Sequence, residues 1–300
     1  MKVVSQRTLG GPEVLETVEA PRPAPRAGHV VVRLGATSVN PVDCKLRSGA
    51  VTFLGEPPFT LGFDVSGTVV DVGDGVTEFR SGDEVFGMVH TRTGTYAEYV
   101  AARAGSLAPR PANLDHRTAA ALPTAALTAR QALDLADLRA GERILIHAAA
   151  GGVGHLAVQF AALRGAQVVC TARAANHEFL RELGADEVID YTATDFTTAV
   201  GDVDVVLDLV GGDYGSRSLR VLGPEGRYVT AQQSDAGEDP RVALVSGAPS
   251  PAQLEEIGEL VGAGRVRVHI DRELTLAEAG QAHRLSESGR VRGKLVLTPW

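Results

Sequence analysis

The stretch Arg143-Ile144-Leu145-Ile146-His147-Ala148-Ala149-Ala150-Gly151-Gly152-Val153-Gly154 decides the fold. It opens as a short apolar run of the strand type, passes through a small-residue turn, and leads into an amphipathic helix expected over 155–163. Against the pattern G-x-G-x-x-G, Ala149 takes the first position and Gly151 and Gly154 the second and third. The second glycine lets the backbone approach a pyrophosphate, and the third lets helix and strand pack closely. Gly152 and Val153 complete the turn, and the helix start offers unpaired N–H groups to an anion. A tight turn alone would explain two glycines. Strand, turn, helix and a further strand at 167–171 explain the whole spacing, which is that of a dinucleotide-binding unit.

The end of that further strand bears on the cofactor. NAD sites place an Asp or Glu there, ~20 residues beyond the glycines, to hold the ribose hydroxyls. This chain reads Thr171-Ala172-Arg173-Ala174-Ala175-Asn176, without an acid. Arg173 is either a solvated loop residue or the partner of a 2′-phosphate, with Asn176 adding a hydrogen bond. The second reading favours NADPH.

Beyond this point strands and helices keep alternating, with a helix at 176–183 and strands at 187–190, 204–208 and 226–230, as in a parallel, doubly wound sheet. Upstream of an Ala-rich helix at 124–135 the texture differs. Runs such as Val30-Val31-Val32-Arg33-Leu34 and Gly67-Thr68-Val69-Val70-Asp71-Val72 are separated by Gly/Asp turns and read as a compact β-rich unit. From about Arg265 strand-like texture returns. The expected division is 1–118 for the β-rich unit, 119–264 for the nucleotide unit, and 265–300 packing back on the first.

Composition excludes several classes. The net charge is −8 with both signs interspersed, so neither a nucleic-acid footprint nor a membrane-seeking face is expected. No apolar run approaches ~20 residues and the start carries no signal-peptide pattern, so a cytoplasmic protein is expected. Cys44 and Cys170 are the only cysteines, and cannot build a disulfide framework or a four-cysteine zinc loop. Of 29 basic residues only Lys2, Lys45 and Lys294 are lysines, which singles each of them out.

The glycine turn, Ser38-Val39-Asn40-Pro41-Val42-Asp43, Gly62-Phe63-Asp64-Val65-Ser66-Gly67, Tyr96-Ala97-Glu98-Tyr99-Val100 and Arg292-Gly293-Lys294 together resemble the medium-chain dehydrogenase/reductase superfamily. The likeness is to its zinc-independent quinone oxidoreductase (zeta-crystallin-like) branch, and it runs the length of the chain. It implies a GroES-like β-barrel substrate domain and a Rossmann domain with the active site in the cleft between them, NADPH as cofactor, and usually a homodimer. Zinc-dependent relatives place their ligands where this chain has Asn40, Phe63 and Thr124. Phe63 cannot ligate, and the other two are not usual zinc ligands. Without a Lewis acid, alcohol oxidation loses its means of polarising oxygen, whereas hydride delivery to an electrophilic quinone or enone stays feasible.

By the same resemblance Asn40 and Lys45 are the candidate catalytic residues. Asn40 would orient nicotinamide or substrate. Lys45, expected on a strand-to-loop segment, would stabilise an enolate oxygen or relay a proton; the other readings are a surface lysine and a proton from solvent. Thr128, Tyr191, Thr230, Ala231 and Lys294 are implied as further cofactor contacts. Tyr96, Tyr99 and His147 read as packing residues. The expected activity is hydride transfer from NADPH to a quinone or an α,β-unsaturated carbonyl. A pathway-specific reductase of carrier-bound enoyl or polyketide intermediates, and an NADPH-binding redox sensor with little turnover, share every cofactor motif and stay open.

Overall fold

A computed structural model of the protein describes residues 1–300. The chain divides into two compact units, Met1–Leu127 with Ala248–Trp300, and Thr128–Gly247.

The first unit opens with β1 (Lys2–Gln6), β2 (Glu16–Glu19), β3 (His29–Val39), α1 (Pro41–Ser48) and β4 (Phe59–Thr60). It continues through β5 (Asp64–Val72), β6 (Glu84–Met88), β7 (Tyr99–Arg103), β8 (Leu107–Pro109), α2 (His116–Ala120) and the start of α3 (Pro123–Leu135). β3 is its axis. Val30, Val31 and Val32 are all fully buried, so this strand is apolar on both faces instead of alternating. It pairs antiparallel with both β5 and β7. A separate three-stranded sheet runs β2-β1-β4.

The second unit holds β9 (Arg143–Ile146), α4 (Gly154–Leu163), β10 (Gln167–Ala172), α5 (His177–Glu182), β11 (Glu187–Asp190), α6 (Phe196–Ala199), β12 (Val203–Asp208), α7 (Tyr214–Leu219), β13 (Leu222–Thr230) and β14 (Val242–Leu244). Its six strands lie in the order β11-β10-β9-β12-β13-β14 and every pairing is parallel. Counted from β9, that is the 3-2-1-4-5-6 order of a Rossmann sheet, as the strand–helix alternation leads one to expect. Leu145, Val169, Val206 and Tyr228 build the core on one face.

The chain then re-enters the first unit as α8 (Pro251–Gly262), β15 (Ile270–Thr275), α9 (Ala279–Glu287) and β16 (Lys294–Thr298). β16 pairs antiparallel with β3, Leu295 opposite Val39, and parallel with β15. The sheet thereby reads β15-β16-β3-β5-β6-β8, with β7 on β3. The return of the last segment is as expected, but the boundaries move. The division falls after Leu127 and after Gly247 rather than at 118/119 and 264/265. The residues of helix α8, assigned from sequence to the nucleotide unit, lie in the first unit, where the helix packs on β8 and the turn after it. A Cβ on Gly258 would stand 2.9 Å from Pro111, and Asn113 Nδ2 donates to Gly262 O at 2.9 Å.

Candidate active site

Asn40 stands where β3 ends and α1 begins. Asparagine suits a helix N-cap and proline the first helical position, and Gly49 closes α1 in the left-handed region (φ 85°). Asp43 Oδ2 accepts from Asn40 N at 2.8 Å, the return half of a capping box. The Asn40 carboxamide serves other partners. Its Nδ2 donates to Asp64 Oδ2 at 2.8 Å, and its Oδ1 accepts from Lys294 Nζ at 2.5 Å.

Asp64, the first residue of β5, is wholly buried and gathers this centre. Its Oδ2 also accepts from Ser38 Oγ at 2.5 Å, and its Oδ1 accepts from Thr124 N at 2.7 Å and Thr124 Oγ1 at 2.6 Å. A carboxylate removed from water is tolerable only with such a shell and a countercharge. The countercharge is Lys294, 3.8 Å from Oδ2, whose ammonium also donates to Val39 O at 3.3 Å. Burial pulls the Lys294 pKa down, while Asp64 and Asp43 pull it back up. Asp43, equally buried, accepts from Gly62 N at 2.8 Å, and burial pushes its pKa up to about 7.

Lys294, implied as a cofactor contact, thus proves to be 3% exposed and committed to Asn40, Val39 and Asp64. Its residue type was legible as unusual; its task was not. Lys45 also departs from expectation. It lies in the last turn of helix α1, not on a strand-to-loop segment, and is partly exposed between buried Cys44 and Leu46. Asp64 and Ser38 were missed as site residues although both lie in the quoted motifs. An acid opening the most buried half of β5 was the available signal.

Of the positions that zinc relatives use, Asn40 and Thr124 are tied to Asp64, and Phe63 packs edge-on against His90 (centroids 5.3 Å apart) and beside Phe53. No three His, Cys, Asp or Glu side chains converge anywhere to hold a metal ion. Tyr96 is core, its hydroxyl on His283 Nε2 at 3.1 Å.

In the second unit the cofactor candidates collect at the carboxyl ends of the parallel strands, where open sheets of this kind bind ligands. The two glycines differ in the room around them. A Cβ on Gly154 would lie 2.4 Å from Ala148 O, so close helix–strand packing requires glycine there. A Cβ on Gly151 would meet only Ala148 O, at 3.3 Å. Ala148 carries a positive φ (51°), a left-handed alanine at the strand's end. His147 is a satisfied core histidine, Nδ1 paired with Thr171 Oγ1 at 2.9 Å and Nε2 with Ser218 Oγ at 3.0 Å. Burial lowers its pKa to about 4.

Arg173 and Tyr191 follow directly on the register pair Ala172 and Asp190 at the ends of β10 and β11. Arg173 Nε donates to Tyr191 Oη at 3.0 Å, and both side chains are exposed. The neighbouring Asp190 carboxylate accepts from Thr192 N and Oγ1 at 2.9 and 2.6 Å. Asn176 N donates to Arg173 O at 2.8 Å, and the residue occupies the N-cap position of α5 without a side-chain capping bond. Thr230 ends β13 with its hydroxyl closing its own turn to Gln232, and Ala231 N donates to Asp208 O. The Thr128 side chain lies against the backbone of Gly247.

The sequence matches two family descriptions, "Alcohol dehydrogenase GroES-like domain" over 26–112 and "Zinc-binding dehydrogenase" over 183–297. The quinone oxidoreductase of Coxiella burnetii has the same fold with a TM-score of 0.96 and 38% identity, over 99% of both chains. The Escherichia coli quinone oxidoreductase, solved with NADPH, gives a TM-score of 0.92 and 28% identity over the whole of both chains. The 2-methylene-furan-3-one reductase of Solanum lycopersicum is 33% identical over all of this chain and 79% of its own length. Fold, strand order and glycine turn define a medium-chain dehydrogenase/reductase, and the chain belongs to that superfamily. Within it the chain is an oxidoreductase of the quinone-oxidoreductase-like branch.

Proposed function

We propose that the protein reduces quinones and α,β-unsaturated carbonyls with NADPH, without a catalytic metal and as a homodimer. The observation that carries the cofactor choice is the Arg173–Tyr191 pair on adjacent strand ends. A guanidinium there offers charge-assisted hydrogen bonds to a 2′-phosphate, whereas NADH presents only hydroxyls. The open side of Gly151 fits the pyrophosphate. Bound NADPH supplies a hydride, which with one proton from water converts a quinone to a hydroquinone or saturates the C=C of an enone, leaving NADP⁺. The chain's own part is orientation and charge. Asn40, and Lys45 on the same helix α1, are the groups assigned to the oxygen on which electron density builds. The names of the quinone oxidoreductases and of the furanone reductase support these two acceptor classes. For the homodimer, β14 supplies an open sheet edge, with Leu244 68% exposed.

The test is NADPH oxidation with enals, cyclic enones and quinones, in parallel for wild type and Arg173→Ala. The expected result is steady turnover by the wild type before and after chelation, and a KM for NADPH raised about tenfold in the variant with that for NADH unchanged. No turnover with any acceptor sinks the enzymatic reading; an equal effect on both cofactors sinks the phosphate pairing.

A further inference from the structure

The geometry points to Asp64 as a positioning residue that fixes the hydrogen-bonding polarity of two neighbours, leaving Asn40 with one oriented N–H to donate to a ligand and Thr124 with a hydroxyl that can only accept. The inference rests on the reading above, in which Asn40 meets the reacting oxygen, and adds what each residue can and cannot offer there.

The argument is one of valence. Lys294 Nζ is an ammonium and can only donate; the Asp64 carboxylate beside it can only accept. The Asn40 carboxamide lies between them, 2.5 Å from the one and 2.8 Å from the other, so its oxygen must face Lys294 and its nitrogen Asp64. The reversed amide would set oxygen against carboxylate and N–H against ammonium. One Nδ2 hydrogen is spent on Asp64 and one lone pair of the oxygen on Lys294, so the orientation is fixed and the second Nδ2 hydrogen is left to donate. Thr124 has a single hydroxyl hydrogen, and it goes to Asp64 Oδ1 at 2.6 Å. Thr124 Oγ1 therefore retains only lone pairs. The Thr124 main-chain N–H donates to the same carboxylate oxygen at 2.7 Å, which holds the Thr124 backbone against Asp64.

The ligand chemistry follows. Asn40 suits a carbonyl or quinone oxygen, and more so as charge grows on it, because a fixed donor needs no reorientation. Thr124 suits a hydroxyl or amide hydrogen. Asp64 touches neither ligand group: its four hydrogen bonds come from Ser38, Asn40 and Thr124, and its countercharge is Lys294.

Steady-state kinetics of the full-length enzyme with saturating NADPH test this, with 2-cyclohexenone and 1,4-naphthoquinone as probes. Asp64→Asn places an amide where the carboxylate accepts on both oxygens, so one neighbour must reverse. The expected result is a kcat at least tenfold lower, with the NADPH dissociation constant, read by its fluorescence, within about twofold of wild type. Thr124→Val and Thr124→Ser keep the question answerable if Asp64→Asn does not fold. Valine removes the acceptor and lowers kcat about tenfold, and serine, with the same hydroxyl polarity, stays within about twofold of wild type. The inference is overturned if folded Asp64→Asn keeps its kcat, or if valine and serine at 124 behave alike. Failure of the wild type to oxidise NADPH with either probe would instead strike the functional reading.

Discussion

Asp64 and Asp208 are both completely buried, one opening β5 and the other closing β12, yet they are stabilised by different means. Asp208 is served from nearby. It accepts from Val210 N at 2.8 Å and Gly211 N at 3.0 Å, two and three residues on, and from Tyr228 Oη at 2.5 Å on the adjacent strand. Asp64 draws on residues 38, 40, 124 and 294, and needs an ammonium. Asp208 closes a turn; Asp64 ties β3, β5, α3 and β16 to one point. A buried acid held by its own turn is a local device. One held by side chains from distant segments exists only when the whole unit is assembled, and that is the kind suited to holding reactive groups in fixed directions.

The contrast predicts unequal losses. Asp64→Ala leaves Lys294 buried without its countercharge and should destabilise the first unit by about 3–5 kcal/mol. Asp208→Ala strips two backbone N–H groups and the Tyr228 hydroxyl of their acceptor, and should cost the second unit about 1–3 kcal/mol. Hydrogen exchange of β5 and of β12, each in its own variant, measures the two, and an equal or reversed order breaks the comparison.

A second carboxylate in the first unit sharpens it. Because burial raises Asp43 from 3.8 to about 7, the folded state holds that proton more tightly than the unfolded chain does. The resulting stabilisation is fully present below about pH 4 and is lost as pH rises through about 7. The stability advantage of wild type over Asp43→Asn should therefore shrink between pH 4 and pH 8 by about 2–4 kcal/mol. Thermal melts of both proteins across that range decide it; a constant gap would mean that Asp43 is ionised throughout.

The smallest effect belongs to the second unit. Ala148 at φ 51° bears a left-handed strain of about 1–2 kcal/mol, part of which glycine's greater unfolded-state freedom would offset. Ala148→Gly should raise stability by about 0.5–1 kcal/mol with NADPH affinity intact, as read by melting and by NADPH fluorescence. A loss of stability would show that the turn is not strained there.

The same contrast explains what was legible. The Rossmann unit could be read strand by strand because its signals are local: an apolar run, a glycine turn, a helix, repeated. Even there the left-handed Ala148 went unmarked, because alanine carries no signal for a positive φ as glycine does. In the first unit the motif around Asp64 was visible, but its meaning depended on Lys294, 230 positions away, and on Thr124. Helix α1 was missed because eight residues with Pro41 at the start and Gly49 at the end are short for a periodicity argument. The placement of α8 turned on which surface its apolar face would find, and a helix's own sequence does not carry that.

The nucleotide unit is inserted between two parts of the other, since residues 128–247 interrupt 1–127 and 248–300. During synthesis the inserted unit is therefore complete while its host still lacks β15 and β16, and domains generally fold as units when their residues become available. Until β16 emerges, residues 37–39 of β3 lack their antiparallel partner and the Asp64 carboxylate has no cation. The inserted unit is thus synthesised whole before Lys294 arrives to supply the cation of the polar centre around Asp64.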